Sequence, residues 1–142
     1  MTSIQPALPG DWGAWRELDR HVCRAGFLAA VRRSMAWWVL EEGQPVGVLR
    51  YQLFWEQIPF LNLLFLEASA RRQGHGRAAM ALWEAEMSRA GHGMVLVSTQ
   101  SDEPAQHFYR KLGYRDCGCL LLDIPGYRQP AELFLCKELP RG

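Results

Sequence analysis

An apolar run from Phe60 to Leu66 leads into Arg71-Arg72-Gln73-Gly74-His75-Gly76-Arg77-Ala78, and then into a helix-patterned segment that continues to Arg89. A loop of glycine and arginine between a strand and a helix leaves few folds open. The two glycines let the backbone pass close to a ligand, and the first N–H groups of the helix have no intrahelical partner. A helix start of this kind cradles anions, phosphate above all.

The pattern on either side extends the unit. Ala78, Ala79, Leu82 and Ala85 share one helix face and Arg77, Glu84 and Ser88 the other, until Gly91 to Gly93 end the helix. Met94 to Thr99 reads as a strand. Ser101-Asp102 is expected to cap the next helix, which carries Ala105, Phe108, Tyr109 and Leu112 as one apolar stripe and stops at Gly113. Strand–loop–helix–strand requires a right-handed crossover and parallel strands. Ligands bind beyond the carboxyl ends of such strands, so Arg71–Arg77 and Asp102–Tyr109 should flank one cleft.

Upstream, Pro9-Gly10-Asp11 turns into a helix carrying Trp15, Leu18 and Val22, and a second short helix covers Phe27 to Arg33. Strands at 37–41 and 46–54 are joined by a hairpin through Glu42-Gly43-Gln44-Pro45. The run from Phe60 to Leu66, interrupted only by Asn62, predicts a strand buried on both faces. Strands at 117–122 and 133–136 close the chain, with a turn-rich loop between them.

With 142 residues and 49% hydrophobic content, residues 1–142 make one domain with a single core. A net charge of +1 gives no broad basic field, which argues against nucleic acid as partner. No stretch approaches the roughly 18 apolar residues of a membrane span. The N-terminus lacks the pattern of a secretion signal, so the expected location is cytoplasmic. Cys23, Cys117, Cys119 and Cys136 show no metal-ligand spacing and read as structural thiols, and no metal is expected.

The loop fails as a dinucleotide fingerprint, because position 79 is alanine rather than a third glycine, and no Gly-Lys-Ser/Thr follows to make a nucleotide triphosphate loop. Arg71-x-x-Gly74-x-Gly76-Arg77-Ala78, followed by Ser101-Asp102-Glu103-Pro104-Ala105-Gln106-His107-Phe108-Tyr109-Arg110-Lys111-Leu112-Gly113-Tyr114, resembles the GNAT superfamily of acyl-CoA-dependent N-acyltransferases. The likeness covers residues 60 to 114 closely. It departs from the family at Asp102, where asparagine is usual, and at Ala68, where proline is common.

The resemblance implies an α/β (α+β) fold with a mixed, mostly antiparallel sheet of six to seven strands flanked by helices. A bulged strand at 60–67 would splay from the strand at 94–99 to open a V-shaped slot. It implies acetyl-CoA as co-substrate, its pantetheine arm paired to backbone near Leu64 and Leu66. Its diphosphate would be held by amides of Arg72, Gln73, Gly74, His75, Gly76, Arg77 and Ala78, with Arg71, Asp102, Ala105 and Phe108 alongside. Tyr109, which spacing alone reads as core, becomes the general acid beside the sulfur. An acetyl group would pass directly to a primary amine in a ternary complex, with a backbone N–H near Leu66 meeting the oxyanion.

A protonated amine must lose its proton before attack, and the sequence leaves the base open among Glu56, Gln57, Asn62, Glu67 and Gln100. Each of His21, His75, His92 and His107 stands alone, and at His75 only the backbone is expected to matter. The acceptor is a small-molecule amine or a peptide amine, and a homodimer fits this kind of fold. The rival reading keeps the fold without chemistry, as an acyl-CoA-binding sensor or interaction module. Tyr109 argues against that, since a binder needs the loop but no acid.

Overall fold

In the computed structural model, which describes residues 1–141, seven strands form one sheet in the order β1-β2-β3-β4-β5-β7-β6. The strands are β1 (Thr2–Pro6), β2 (Ala36–Glu41), β3 (Gln44–Phe54), β4 (Ile58–Leu66), β5 (Met94–Gln100), β6 (Arg115–Leu120) and β7 (Glu132–Glu138). The helices are α1 (Trp12–Trp15), α2 (Arg24–Arg32), α3 (His75–Arg89) and α4 (Ala105–Lys111). Every neighbouring pair is antiparallel except β4 and β5, which run parallel. This is the mixed, mostly antiparallel sheet with flanking helices that the two motifs imply.

The β2–β3 hairpin turns on Glu42 and Gly43, both at positive φ (48° and 80°), as a two-residue turn matching strand twist demands. The strand therefore resumes at Gln44, earlier than expected. The N-terminal residues form a strand that sequence reading missed. β1 has no clear alternation and gains its place by pairing with β2 from Thr2↔Glu41 to Pro6↔Trp37. The first helix is shorter than its periodicity predicts and ends at Trp15, leaving Leu18 and Val22 in the turns that follow.

Two apolar layers sandwich the sheet. On one face Ala79, Met80, Trp83 and Met87 of α3 and Tyr109 of α4 pack against Leu49, Leu61, Val95, Val97 and Leu135. On the other, Trp15 and Phe27 meet Trp38 and Val48, with ring centroids 5.1 Å apart for both Trp15–Phe27 and Trp15–Trp38. Burying rings of this size stabilises each layer by about 2–3 kcal/mol per side chain.

β4 corrects one expectation and explains another. It is not buried on both faces: Pro59 and Leu61 are buried, Asn62 is exposed, and Leu63 to Leu66 are half-buried. The cause is its partner. β4 pairs with β5 only at Phe60↔Leu96 and Leu61↔Val97, after which the strands part. On the β3 side the register shifts, with Arg50 opposite Leu63 and Tyr51 opposite Leu61, so Asn62 is the extra, bulged residue. The expected bulge and splay coincide, leaving one edge of β4 open beyond Asn62.

No helix among the described residues is long and apolar enough to cross a membrane. Of the four cysteines read as structural thiols, Cys23, Cys117 and Cys119 are exposed and Cys136 is half-buried. The cause for Cys117 and Cys119 is that β6 is an edge strand, exposed along its whole length.

Candidate active site

Two clefts meet along the open edge of β4. The first, about 670 Å³, lies between the glycine loop (Arg71, Arg72, Gly74, Gly76, Arg77), the end of β4 (Leu64, Leu66) and the start of α4 (Pro104, Ala105, Phe108). The second, about 390 Å³, runs through the splay between β4 and β5 and is lined by Asn62, Thr99, Gln100 and Tyr109, with His21, Glu103 and Glu132 around it. Leu64 and Ala105 border both, so the clefts adjoin.

The loop leaves amides at the start of α3 without a backbone partner. Gly74, the N-cap of α3, takes φ 82°, a left-handed conformation that costs glycine little. The first intrahelical bond runs from the Ala78 amide to the Gly74 carbonyl, 3.0 Å. The amides of Gly74, His75, Gly76 and Arg77 precede it and remain available to an anion. The Ala78 amide is engaged in the helix. A Cβ at Gly76 would come into ordinary contact with Phe108 Cζ (3.4 Å) and Leu66 Cδ1 (3.6 Å), so α3 starts close against β4 and α4.

The side chains of three loop residues are engaged within the protein. Arg71 turns back, its Nε donating to the Leu66 carbonyl (3.1 Å) and its guanidinium lying 5.0 Å from the Phe65 ring. Gln73 donates to the Ser69 carbonyl at 2.8 Å instead of facing the cleft. His75 is not a mere backbone position. Its ring is buried, with Nδ1 3.0 Å from Thr2 Oγ1 and 3.3 Å from Glu41 Oε2, and Nε2 3.3 Å from Gln73 Oε1. The side chain ties the start of α3 to β1 and β2, which fixes where the free amides point.

Tyr109 is both core and site. It is 8% exposed, packs edge-on to Phe108 (5.2 Å) and Tyr114 (5.7 Å), and still lines the second cleft. No side chain among the described residues hydrogen-bonds its hydroxyl. Burial, aided by the charge of Glu103, pushes its pKa up to about 12. The phenol is therefore a standing hydrogen-bond donor over all ordinary pH.

Of the open base candidates, Asn62 and Gln100 line the second cleft, while Glu56 and Glu67 do not. Glu56 sits at φ 57° in the β3–β4 turn, at the opposite end of β4 from the loop. Glu67 is exposed past the end of β4, its amide bonded to the Val46 carbonyl (2.8 Å). Gln57 shares the turn with Glu56. Asp102 is exposed, lines neither cleft and caps nothing; α4 starts after Pro104, and Gln106 Nε2 instead bonds the Ser101 and Glu103 carbonyls.

Sequence reasoning placed Glu103 within the segment that flanks the cleft but missed His21 and Glu132 as residues bordering it with Tyr109. His21 is held by Asp19, a carboxylate 1% exposed. Asp19 accepts from Trp15 Nε1 (3.0 Å), Arg50 Nε (2.8 Å) and the His21 amide (3.2 Å). Glu132 faces Gln100 across β5 and β7, and its carboxylate accepts from Gln129 Nε2 at 3.0 Å. No local signal reveals these residues, because only the sheet order brings them together.

The geometry has known counterparts. The described fold is similar to Ard1 from Thermoplasma volcanium (17% identity, 98% of each chain covered, TM-score 0.81). It is also similar to the ribosomal-protein-S18-alanine N-acetyltransferase of Escherichia coli (15% identity, 98% of this chain and 94% of that one, TM-score 0.79). A third likeness is to yncA of Salmonella typhimurium, solved with its cofactor acetyl-CoA (16% identity, 100% and 96% covered, TM-score 0.77). No curated relative matches the chain in sequence. The family model described as acetyltransferase (GNAT) domain matches residues 33–116, which include β2 to β5, the glycine loop and α4. With that match over more than half its length, the chain belongs to the GNAT acetyltransferase family.

Proposed function

We propose that the protein is an N-acetyltransferase that moves the acetyl group of acetyl-CoA onto a primary amine by direct attack, both substrates being bound together. The observation that carries this reading is the adjacency of the two clefts, with unpaired helix-start amides beside one and the Tyr109 phenol beside the other. A diphosphate fits the first cleft: amides at a helix start, Arg72 and Arg77 beside them, and no acidic side chain in the lining. The open edge of β4 from Asn62 to Leu66 offers backbone groups to an extended arm. Acetyl-CoA supplies an activated acetyl thioester.

Tyr109 donates a hydrogen bond to the leaving sulfur. Handing over the whole proton, from a phenol near 12 to a thiolate of ordinary pKa about 8.5, is uphill by about 5 kcal/mol. Its main work is therefore to hold the sulfur and ease developing charge. The amine enters from the side of His21 and Glu132, and its proton leaves to water or to a group lining that side. Arg71 supports the loop through Leu66, Gln73 and His75 brace it from behind, and Ala105 and Phe108 form the wall beside the arm.

The test is thiol release from acetyl-CoA across a panel of amines, with calorimetry for coenzyme binding. Release that depends on the amine, with an N-acetylated product by mass spectrometry, is expected. Tight binding without release on any amine would favour the coenzyme-sensing alternative.

A further inference from the structure

The two adjoining clefts differ in charge, and together they have a loop end and a far end. The loop end is lined by Arg71, Arg72 and Arg77 with no acid, and the far end by Glu103 and Glu132 with no lysine or arginine. Arg50, the arginine opposite Leu63 of that far end, is already taken up by Asp19 at 2.8 Å. The far end thus has anionic side chains and no free guanidinium. Between its walls sits Tyr109, more than nine-tenths buried and without a hydrogen-bond partner on its hydroxyl.

Resting on the acetyl-transfer reading above, we propose that the acceptor is an amine carrying a second cationic group and no carboxylate near the reacting nitrogen, with Glu132 as the anchor for that second charge. Glu132 suits the role. It stands on β7 at the mouth of the splay, on a strand rather than a loop, half-buried, and with one carboxylate oxygen steadied by Gln129. A half-buried carboxylate attracts a cation more strongly than an exposed one, because water screens it less. A free amino acid is disfavoured by the same arrangement: its carboxylate would face Glu103 and Glu132 and find no arginine to pair with. Di- or polyamines and peptides with a basic side chain near a free amine share the required chemistry.

The test compares 1,5-diaminopentane with 1-aminopentane, L-glutamate and a short peptide bearing arginine at its second position, using thiol release from acetyl-CoA. The diamine or the arginine peptide is expected to exceed aminopentane at least tenfold in kcat/KM, and whichever leads identifies the source of the second charge. Glu132→Gln should bring the ratio of diamine to monoamine to within about twofold, while Glu132→Asp retains most of it. Rates no higher than that of aminopentane for both the diamine and the arginine peptide, or glutamate as the best acceptor, would overturn the assignment and leave acetyl transfer standing. Coenzyme binding with no release from any amine would overturn both.

Discussion

Arg50 Nε lies 2.8 Å from Asp19 Oδ2, beneath the segment that brings His21 to the second cleft. The carboxylate is 1% exposed and also accepts from Trp15 and from the His21 amide. Removing one side of such a pair strands the other charge in a poorly solvated site. Asp19→Ala should therefore lower stability by about 3 kcal/mol in urea denaturation. With the segment loosened, KM for the amine should rise more than KM for acetyl-CoA. Equal rises in both would show that the pair serves folding alone.

Tyr109→Phe keeps the ring contacts to Phe108 and Tyr114 and deletes only the hydroxyl. Turnover should fall at least tenfold, while calorimetric affinity for acetyl-CoA barely changes. A variant with full turnover would remove the phenol from the chemistry.

The same phenol sets an alkaline limit on stability. Its pKa is raised from 10.0 to about 12 by burial and then by Glu103, so the folded chain keeps a proton that the unfolded chain has lost. Stability from this group is whole below pH 10 and falls between about pH 10 and 12, by about 3 kcal/mol at most. Tyr114 pushes the same way, its pKa raised by burial and by Glu84, whose Oε2 accepts its hydroxyl at 2.7 Å. Denaturation followed against pH should show this decline, and Tyr109→Phe should make it shallower. An unchanged slope would mean the phenol ionises as freely folded as unfolded.

Gly47 and Gly74 should respond differently to alanine. A Cβ at Gly47 would lie 2.5 Å from the Phe65 carbonyl oxygen, so β3 and β4 must shift, at a cost of about 2 kcal/mol or more. At Gly74 a Cβ meets nothing within 4 Å, and only the left-handed φ of 82° resists, at about 1 kcal/mol. Gly74→Ala should instead weaken acetyl-CoA binding several-fold, because the amides at the start of α3 lose their aim. Thermal melts with and without acetyl-CoA separate the two effects.

None of the four cysteines lines either cleft. Cys→Ser at positions 23, 117, 119 and 136 in turn should leave thiol release intact. One inactive, folded variant would indicate an acyl-cysteine route.

Near neighbours in the chain determined much of the result. The cradle at Gly74 and Gly76, the helix it opens, the strand after it and the stripe ending in Tyr109 each follow from spacings of a few residues, where backbone sterics and periodicity act. The family motifs rest on those same short spacings, so they were legible without coordinates. What the tertiary structure alone decided lies in contacts between distant segments. β1 exists because β2 offers it an edge, and His75 turns inward because Thr2 and Glu41 stand behind it. Glu56 and Glu67 fall away from Tyr109, whereas His21 and Glu132, separated by 111 positions, border the same cleft. Strand order and the early parting of β4 from β5 set those distances, and neither leaves a local trace, because pairing energy depends on which edges meet rather than on any one strand's sequence.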